Sequence, residues 1–499
     1  MNKTRIMRLI LLLLIVSLVS CSDDFTEEEA PFSVTSGSFF NTEEDYNNAL
    51  IGSYDILQST YLNAILGEIA SDNTNAGGES ATDVVGWQQV DRMQHTPTNQ
   101  DIDDVWDRNF AGVQRASFII ANRDKLEFDG KAQIIAEARF LRAYFNFELV
   151  KWFGAIPIKP EGVFELGDET SLPRTPIDGE DGVYAYIQND LEKAIADLAV
   201  QPPQVGRATK ASAQALLGKV FLYQDKFQQS ADQLNQVINS GQFHLFGTEE
   251  EENFLQLFEF ANENGPESVF EIQYTNTEGA GFGCLVCVEG NVAVGFSGVR
   301  QYNGPKFESG FGFNLPRQEV VDAFKDDDLR KELSILDIEA WAADTGADFQ
   351  IGNQDDVTGH TGFYNRKYLP RKNERESDRN LTHPNNYRAI RYSDVLLMAA
   401  EALNRGDIND GLALDYVNQV RSRAGLESVD LSGNQLTEEI YSQRRLELVG
   451  EGHRFFDLVR TGRAAQEIEG FQANKNERFP VPLEEIQFSQ GRWEQNPNY

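Results

Sequence analysis

The stretch KAQIIAEARFLRAYFNFELVKW, at positions 131–152, decides the fold class. One set of apolar side chains recurs at spacings of four and three, the period of one face of an α-helix: Ala136, Phe140, Ala143, Phe147 and Val150. A second apolar face is formed by Leu141, Phe145, Leu149 and Trp152. A helix that is apolar on two sides is expected to lie between neighbouring helices, as it does in stacked helix pairs. The sequence therefore predicts an array of packed helices.

The same periodicity recurs on either side of this helix and predicts further helix pairs. In the segment from Thr209 to Tyr223, the small residues Ala211, Ala215 and Gly218 share one face and allow a neighbouring helix to approach closely. Such pairs resemble tetratricopeptide repeats, although no 34-residue signature recurs in register. The predicted pairs are 104–124 with 131–152, 181–198 with 209–223 (then 227–238), 387–403 with 409–424, and 436–449 with 453–464.

One long region interrupts the helical pattern. Residues 241–386 are rich in Gly, Asn, Asp and aromatic residues. A continuous array tolerates such an insertion only if the insertion packs as a separate lobe, so we expect loops, short strands and short helices there. The predicted fold is all-α: four tetratricopeptide-like helix pairs in a scaffold over about 41–240 and 387–499, with an irregular, loop-rich lobe over about 241–386.

The N-terminus carries features of an export signal. Lys3, Arg5 and Arg8 precede an apolar run, Leu9–Val19, that is too short to span a bilayer as a helix and is typical of a signal peptide. The run ends in Leu-Val-Ser-Cys at 18–21, which resembles the lipobox of bacterial lipoproteins, so Cys21 is predicted to be lipidated and residues 22–40 to form a tether. The acidic residues that follow resemble the surface-export signal of Bacteroidetes lipoproteins. The alternative is a secreted protein in which the cysteine falls at this position by chance.

Composition excludes some partners. With 44 Lys and Arg against 79 Asp and Glu, the formal net charge is -35, and this field opposes binding to nucleic acid or anionic lipid headgroups. It also weakly favours a neutral ligand over a polyanionic one.

The chain has three cysteines, and lipidation of Cys21 would leave Cys284 and Cys287 as a C-x-x-C pair. The sequence offers no second pair of cysteines or histidines to complete a zinc site. The glycine-rich surroundings also lack the strand-to-helix pattern of a redox motif. In an exported protein, a local disulfide that stiffens the loop is the favoured interpretation.

Several motifs, in order along almost the whole mature chain, resemble the SusD/RagB family of outer-membrane lipoproteins of Bacteroidetes. The most specific block lies at 444–460 and reads RRLELVGEGHRFFDLVR. The other matching segments are 140–144 (FLRAY) with Leu149 and 154–157 (GAIP), 208–210 (ATK) with 215–217 (ALL), 387–397 (YRAIRYSDVLL), 418–421 (NQVR) with 424–425 (AG), 479–482 (FPVP) and 496–499 (NPNY).

This resemblance implies a non-enzymatic protein without a cofactor. Family members lie as a lid on a SusC-like TonB-dependent transporter and capture oligosaccharides, or peptides in some branches, for import. The helix pairs would then form the scaffold and contact the transporter, while the loops of the lobe would select the ligand. A neutral polysaccharide such as a β-glucan is the expected ligand.

The charged block near the C-terminus is interpreted as structural. Arg454, Asp457 and Arg460 follow each other at i, i+3 spacing, as do Arg444 and Glu447, and opposite charges at this spacing form salt bridges along a helix. The five histidines are scattered, and the sequence contains no H-E-x-x-H, G-x-S-x-G or Walker-type motif.

Sugar recognition requires aromatic faces for the rings and amide, carboxylate or guanidinium groups for the hydroxyls. Trp87 lies in a loop where the family places a stacking aromatic, and Trp341 and Tyr302 lie in the region that supplies the remaining ones. Asn73 and Asp83 lie in the same loop as Trp87 and could bond hydroxyls. The alternatives are burial of the aromatic rings and turn formation by Asn73 and Asp83.

Some features leave alternatives open. The basic residues Arg366, Lys367, Arg371, Lys372 and Arg375 could face an anionic sugar or pair with Glu374, Glu376 and Asp378 nearby. Asp101, Asp103 and Asp104, or Asp326–Asp328, could hold calcium, although neither run has the spacing of an EF-hand loop, so a metal stays unassigned. Three other functions compete with glycan capture. They are a peptide-binding uptake protein, an exported glycoside hydrolase with two carboxylates in a cleft, and a scaffold that binds only protein.

Overall fold

The computed structural model describes residues 39–80, 82–277, 282–285, 289–351, 361–372, 374 and 381–499. Within these residues the fold is mostly helical, which confirms the predicted class. The α-helices are α1 (Glu43–Gln58), α2 (Tyr61–Ile69), α3 (Val85–Asp91), α4 (Gln100–Ala121), α5 (Lys131–Phe153), α6 (Asp168–Ser171), α7 (Val183–Asp197), α8 (Lys210–Leu222), α9 (Phe227–Ile238), α10 (Val292–Ser297), α11 (Gln318–Ala323), α12 (Leu329–Ser334), α13 (Ile338–Thr345), α14 (Tyr392–Arg405), α15 (Asp410–Arg423), α16 (Gly433–Glu447), α17 (Arg454–Arg460), α18 (Ala464–Glu467) and α19 (Leu483–Phe488).

Short strands join in antiparallel pairs: β1 with β5, β2 with β3, β4 with β8 and β6 with β7. Their bounds are β1 (Thr74–Gly77), β2 (Ile156–Pro157), β3 (Arg174–Thr175), β4 (Ser268–Ile272), β5 (Phe313–Pro316), β6 (Ile335–Asp337), β7 (Phe363–Asn365) and β8 (Tyr387–Arg391).

Helix α5 lies at the centre of the scaffold, as its two apolar faces predict. It packs against α4 on one side and α7 on the other, and both of its apolar faces are buried. The array continues from α7 through α8 and α9 to α14, which in turn packs against α15 and α16. Helix α9 packs directly on α14, although residues 239–391 lie between them in the chain. These intervening residues are therefore an insertion between two neighbouring helices of the array.

Small residues permit the close packing of α8 against α9. A Cβ atom added at Gly218 would lie 2.6 Å from the side chain of Leu234, which is too close for any larger residue without a shift. Ser230 of α9 also donates to the carbonyl of Gly218 at 2.8 Å. The small residues Ala211, Ala215 and Gly218 were predicted to allow close helix packing, and the structure shows this close packing at Gly218.

The structure corrects the third and fourth helix pairs. The helix predicted to begin at Tyr387 begins at Tyr392, because 387–391 forms strand β8 and pairs with β4. The second member of the fourth pair ends earlier than expected: α17 covers only Arg454–Arg460 and packs against α2. Strand β8 runs directly into α14 with no loop between them, so local spacing did not mark the boundary.

The lobe is tied to the scaffold by strands and has apolar clusters of its own. Strand β1, which follows α2 in the chain, pairs with β5 of the lobe, and β8 pairs with β4. One lobe cluster gathers Tyr302, Phe307, Leu336 and Tyr364, with Trp341 packed against it. Among the described residues, no helix has both the length and the apolar character needed to cross a membrane.

Candidate functional site

Trp87 is a core residue, which corrects its prediction as a stacking surface. It lies on α3 with 1% of its surface exposed, and its ring packs edge-on against Phe296 and Phe313, with centroids 5.0 Å apart in both pairs. Its indole N–H donates to Asp101 at 2.9 Å. Both the ring and the nitrogen are thus engaged inside the protein, and no face is left for a ligand.

Asn73 is likewise buried and structural. It is 0% exposed, its amide nitrogen donates to Glu68 at 3.2 Å, and its amide oxygen accepts from Arg445 at 2.9 Å. These bonds connect the start of β1 to α2 and α16. The prediction that Asn73 bonds a ligand hydroxyl is therefore wrong for this structure, because both polar atoms of its side chain are occupied.

Trp341 and Tyr302 lie together, although they are 39 positions apart in the chain. The indole N–H of Trp341, on α13, donates to the Tyr302 hydroxyl at 2.8 Å, and that hydroxyl donates to the carbonyl of Pro305 at 2.6 Å. Tyr302 is buried, and burial raises the pKa of its hydroxyl. Trp341 is only partly buried and packs against Phe307 below it. Of the predicted aromatic contacts, Trp341 alone keeps a face toward solvent.

Asp83 lies at the protein surface beside a guanidinium group that the sequence did not single out. Its carboxylate accepts from the backbone N–H of Glu79 at 2.9 Å and from Arg300 at 3.3 Å, and its side chain is 32% exposed. Arg300 also reaches Glu79 at 3.4 Å. These ion-pair distances exceed the 2.7–2.9 Å that is usual for charged hydrogen bonds, and the Arg300 side chain is 16% exposed.

Two further aromatic rings lie next to Arg300. The guanidinium donates to the carbonyl of Phe311 at 2.7 Å, and the Phe311 ring meets that of Phe282 edge-on at 5.5 Å. Phe282 is 53% exposed, one of the most exposed large apolar side chains in the described lobe. The sequence analysis identified neither ring as a candidate ligand contact. The position of Phe282 in the Gly-rich loop that carries Cys284 could have indicated an exposed aromatic residue.

Close backbone contacts hold these loops together. Gly310 donates to the carbonyl of Val299 at 2.9 Å, and Gly78 donates to that of Gly312 at 2.7 Å. A Cβ atom at Gly310 would lie 2.4 Å from the Gly295 carbonyl, so only glycine fits. Because Arg300 and Tyr302 are two positions apart, their Cα atoms lie within about 7 Å of each other. We use the name aromatic–polar surface for Asp83, Phe282, Arg300 and Phe311, which contact one another in turn, and for Trp341, which connects to them through Tyr302.

The charged block near the C-terminus is a buried ion-pair network, as predicted, but with different partners. Arg444 bonds Asp394 at 2.7 Å and Asp457 at 3.0 Å, and Arg454 bonds Asp72 at 2.7 Å. Of the expected i, i+3 pairs among the described residues, only Asp457 with Arg460 forms, at 2.7 Å. The other partners lie on different elements of the fold, so their pairing depends on tertiary packing and not on spacing along one helix.

The predicted basic cluster also finds its partners far away in the chain. Lys367 is buried against Glu451 at 2.6 Å, and Arg371 bonds Glu259 at 2.7 Å. Arg366 lies 3.7 Å from Glu332. Among the described residues no salt bridge joins this cluster to Glu374, although the charge of Arg371 opposes the rise that burial causes in the Glu374 pKa. Arg375, Glu376 and Asp378 lie outside the described residues, so pairing with them stays a prediction.

The cysteine and metal predictions are only partly covered by the described residues. Cys284 is disulfide-bonded. Cys21 and Cys287 lie outside the described residues, so lipidation and the Cys284–Cys287 pairing stay predictions. Among the described residues, no three His, Cys, Asp or Glu side chains come together as a metal site.

Comparisons with known proteins match both halves of the chain. Residues 266–479 match the family model described as "SusD family", and residues 24–222 match one described as "Starch-binding associating with outer membrane". A SusD-like protein of Formosa agariphila is 28% identical over 100% of both chains.

Solved structures are similar over most of the chain. A laminarin-binding SusD-like protein is 33% identical, covers 92% of this chain and 100% of its own, and gives a TM-score of 0.80. Surface glycan-binding protein A of Bacteroides thetaiotaomicron, in complex with laminarihexaose, is 25% identical, with the same coverage and a TM-score of 0.78.

Proposed function

Because this chain belongs to the SusD family, we propose that it is a non-catalytic glycan-binding lipoprotein of the outer membrane. It captures oligosaccharides or polysaccharides at the cell surface and delivers them to a SusC-like TonB-dependent transporter. Lipidation at Cys21 anchors it. The single observation that carries this proposal is the aromatic–polar surface on the lobe.

This surface has the chemistry that sugar binding requires. The exposed Phe282 ring and the partly exposed Trp341 ring offer faces to the C–H groups of a sugar. Asp83 and Arg300 supply acceptors and donors for hydroxyl groups. Backbone contacts hold the loops of Asp83, Arg300 and Phe311 together, and the bond from its indole to Tyr302 holds Trp341, so these parts of the surface are preformed in the folded protein.

The ligand is a neutral glycan of the β-glucan class. The net charge of -35 and the two surface carboxylates of Glu79 and Asp83 repel an anionic chain. Similarity to a laminarin-binding protein at 33% identity supports the same class of ligand.

Affinity electrophoresis tests this proposal. The protein without residues 1–21 is run through gels that contain laminarin, mixed-linkage glucan or the anionic polysaccharide alginate, with a reducing-end assay on the same mixtures. We expect retardation by a neutral β-glucan, no retardation by alginate and no new reducing ends. Phe282→Ala and Trp341→Ala should each weaken the retardation.

The matched control is Phe488→Ala, which removes a phenylalanine of comparable exposure, 57%, from α19 on the scaffold. It should leave retardation unchanged. New reducing ends would instead indicate a glycoside hydrolase. Absence of retardation by all the glycans would favour a peptide ligand or a scaffold that binds only protein.

A further inference from the structure

A cavity of about 50 Å³, lined by both polar and apolar side chains, lies where the scaffold meets the lobe. Helices α2, α5 and α8 of the scaffold and α10, β5 and β7 of the lobe contribute side chains to its wall. No residue of the aromatic–polar surface lines it. The cavity is therefore separate from the proposed glycan site.

Two buried amide oxygens that line this cavity have no hydrogen-bond partner among the described residues: Oδ1 of Asn314 and Oδ1 of Asn365. The two residues are 3% and 2% exposed. The amide nitrogen of Asn365 donates to the carbonyl of Gly450 at 2.9 Å, which fixes the orientation of the amide and leaves its oxygen as the unpaired atom. A buried acceptor without a donor destabilises the folded state, so both oxygens require a donor from another molecule.

The charges around the cavity argue for a neutral occupant. Lys151 pairs with Glu148 at 2.7 Å, and Lys219 pairs with Asp394 at 3.2 Å. Burial and then the neighbouring Lys219 lower the pKa of His453 to about 3, so this ring is uncharged at neutral pH. Each ionised side chain thus has a partner of opposite sign, and neither an anion nor a cation gains a net attraction.

The volume narrows the choice of neutral molecule. A cavity of about 50 Å³ accommodates on the order of four water molecules, and it is too small for a sugar ring. We propose that this cavity is a built-in hydration site. A cluster of ordered waters donates to Asn314 and Asn365 and thereby connects β5 and β7 of the lobe to the scaffold.

A crystal structure of the folded protein at high resolution tests the proposal directly. We expect water peaks within about 3 Å of each of the two Oδ1 atoms. Absence of density beside either oxygen would overturn the proposal. So would a metal ion, recognised by oxygen distances of about 2.3–2.6 Å for calcium, or density for a larger organic molecule.

A stability measurement distinguishes a hydrated cavity from an empty one. Ala389, on β8, lines the cavity, and Ala389→Val places two methyl groups there. Filling an empty cavity raises the Tm, whereas displacing waters that satisfy buried oxygens lowers it. We expect the Tm to fall by at least about 2 °C; a rise would overturn the proposal.

A double-mutant cycle separates water displacement from overpacking. In the Asn365→Leu background one of the two unpaired oxygens is gone, so Ala389→Val should lower the Tm less than it does in the wild-type protein. An equal fall in both backgrounds would attribute the effect to overpacking and would contradict the proposal.

Discussion

Arg391 bonds both carboxylate oxygens of Glu451 at 2.8 Å, deep in the protein and across 60 positions of sequence. Lys367 of the lobe shares the same carboxylate at 2.6 Å. Burial raises the pKa of Glu451, but Arg391 and Lys367 together hold it below its ordinary value. One carboxylate thus joins strand β8, the turn after α16 and the lobe.

Glu451→Gln should destabilise the fold strongly. The substitution leaves the buried Lys367 without its ion-pair partner, while Arg391 keeps Glu267 and Glu447. Breaking a buried ion pair in this way costs about 3–5 kcal/mol. Urea unfolding measures the difference. Asp55→Asn is the control, since its partner Arg115 and Asp55 itself are 46% and 48% exposed, and such a pair contributes at most about 1 kcal/mol. Equal effects of the two substitutions would contradict the assigned role of Glu451.

His453 should make the protein sensitive to mild acid. Burial and the neighbouring Lys219 lower its pKa from 6.5 to about 3 in the folded state. The unfolded chain therefore takes up a proton as the pH falls below about 6.5 while the folded protein does not, so stability present above that pH is lost progressively down to about pH 3.

Thermal unfolding between pH 7 and pH 4 measures this effect. His453→Gln should flatten the fall of Tm with pH, because it removes the group whose pKa burial lowers in the folded state. A slope unaltered by His453→Gln would show that other groups cause the acid sensitivity.

Asp103 should have the opposite effect to His453 on the pH dependence of stability. Burial, followed by the neighbouring carboxylate of Asp107, raises its pKa from 3.8 to about 6. The folded state holds its proton longer than the unfolded state, so its contribution to stability is lost as the pH rises from about 4 to about 6.

Asp103→Asn should therefore raise the Tm at pH 7 and change it little below pH 4. The exposed Asp415 on α15 provides the control, since Asp415→Asn should have no comparable effect. Destabilisation at pH 7 by Asp103→Asn would mean that the bond from Gln100 to Asp103, at 3.0 Å, requires the charge.

Trp341 should contribute to glycan affinity through its ring. Trp341→Ala should weaken binding of a laminarin oligosaccharide at least about tenfold, as is typical of an aromatic contact at the centre of a binding surface. Tyr302→Phe removes the acceptor of the indole N–H and the donor to the Pro305 carbonyl but keeps the Trp341 ring, so glycan affinity should fall by only about two- to tenfold. Isothermal titration calorimetry measures both. Full loss with Tyr302→Phe and no loss with Trp341→Ala would contradict the assignment.

Trp87 should affect stability and not ligand recognition. Trp87→Ala removes a ring that is 1% exposed and packs on Phe296 and Phe313, which typically costs about 3–5 kcal/mol. The milder Trp87→Phe should stay folded and keep its glycan affinity within about twofold. A selective loss of affinity in Trp87→Phe, without a lower Tm, would restore Trp87 as a ligand contact.

The sequence by itself determined the helical array. The periodic apolar positions of α5 predict a helix buried on two faces because hydrophobic burial and helix geometry are both local properties of the sequence. The small residues of α8 predict close helix packing, and the irregular composition of 241–386 predicts a loop-rich lobe, because these too are local properties of the sequence. The motifs of 444–460 were sufficient to suggest the family.

Only the tertiary structure decided the partners and the site. Several contacts involve segments that are far apart in the chain or that belong to an irregular loop. They are the burial contacts of Trp87 and Asn73, the ion pair of Arg391 with Glu451, and the hydrogen bond of Trp341 with Tyr302. Local spacing does not encode such contacts. They form when close glycine contacts, such as that of Gly310 with Gly295, bring loops together. Because an unpaired buried charge destabilises the fold, each buried charge then lies beside one of opposite sign.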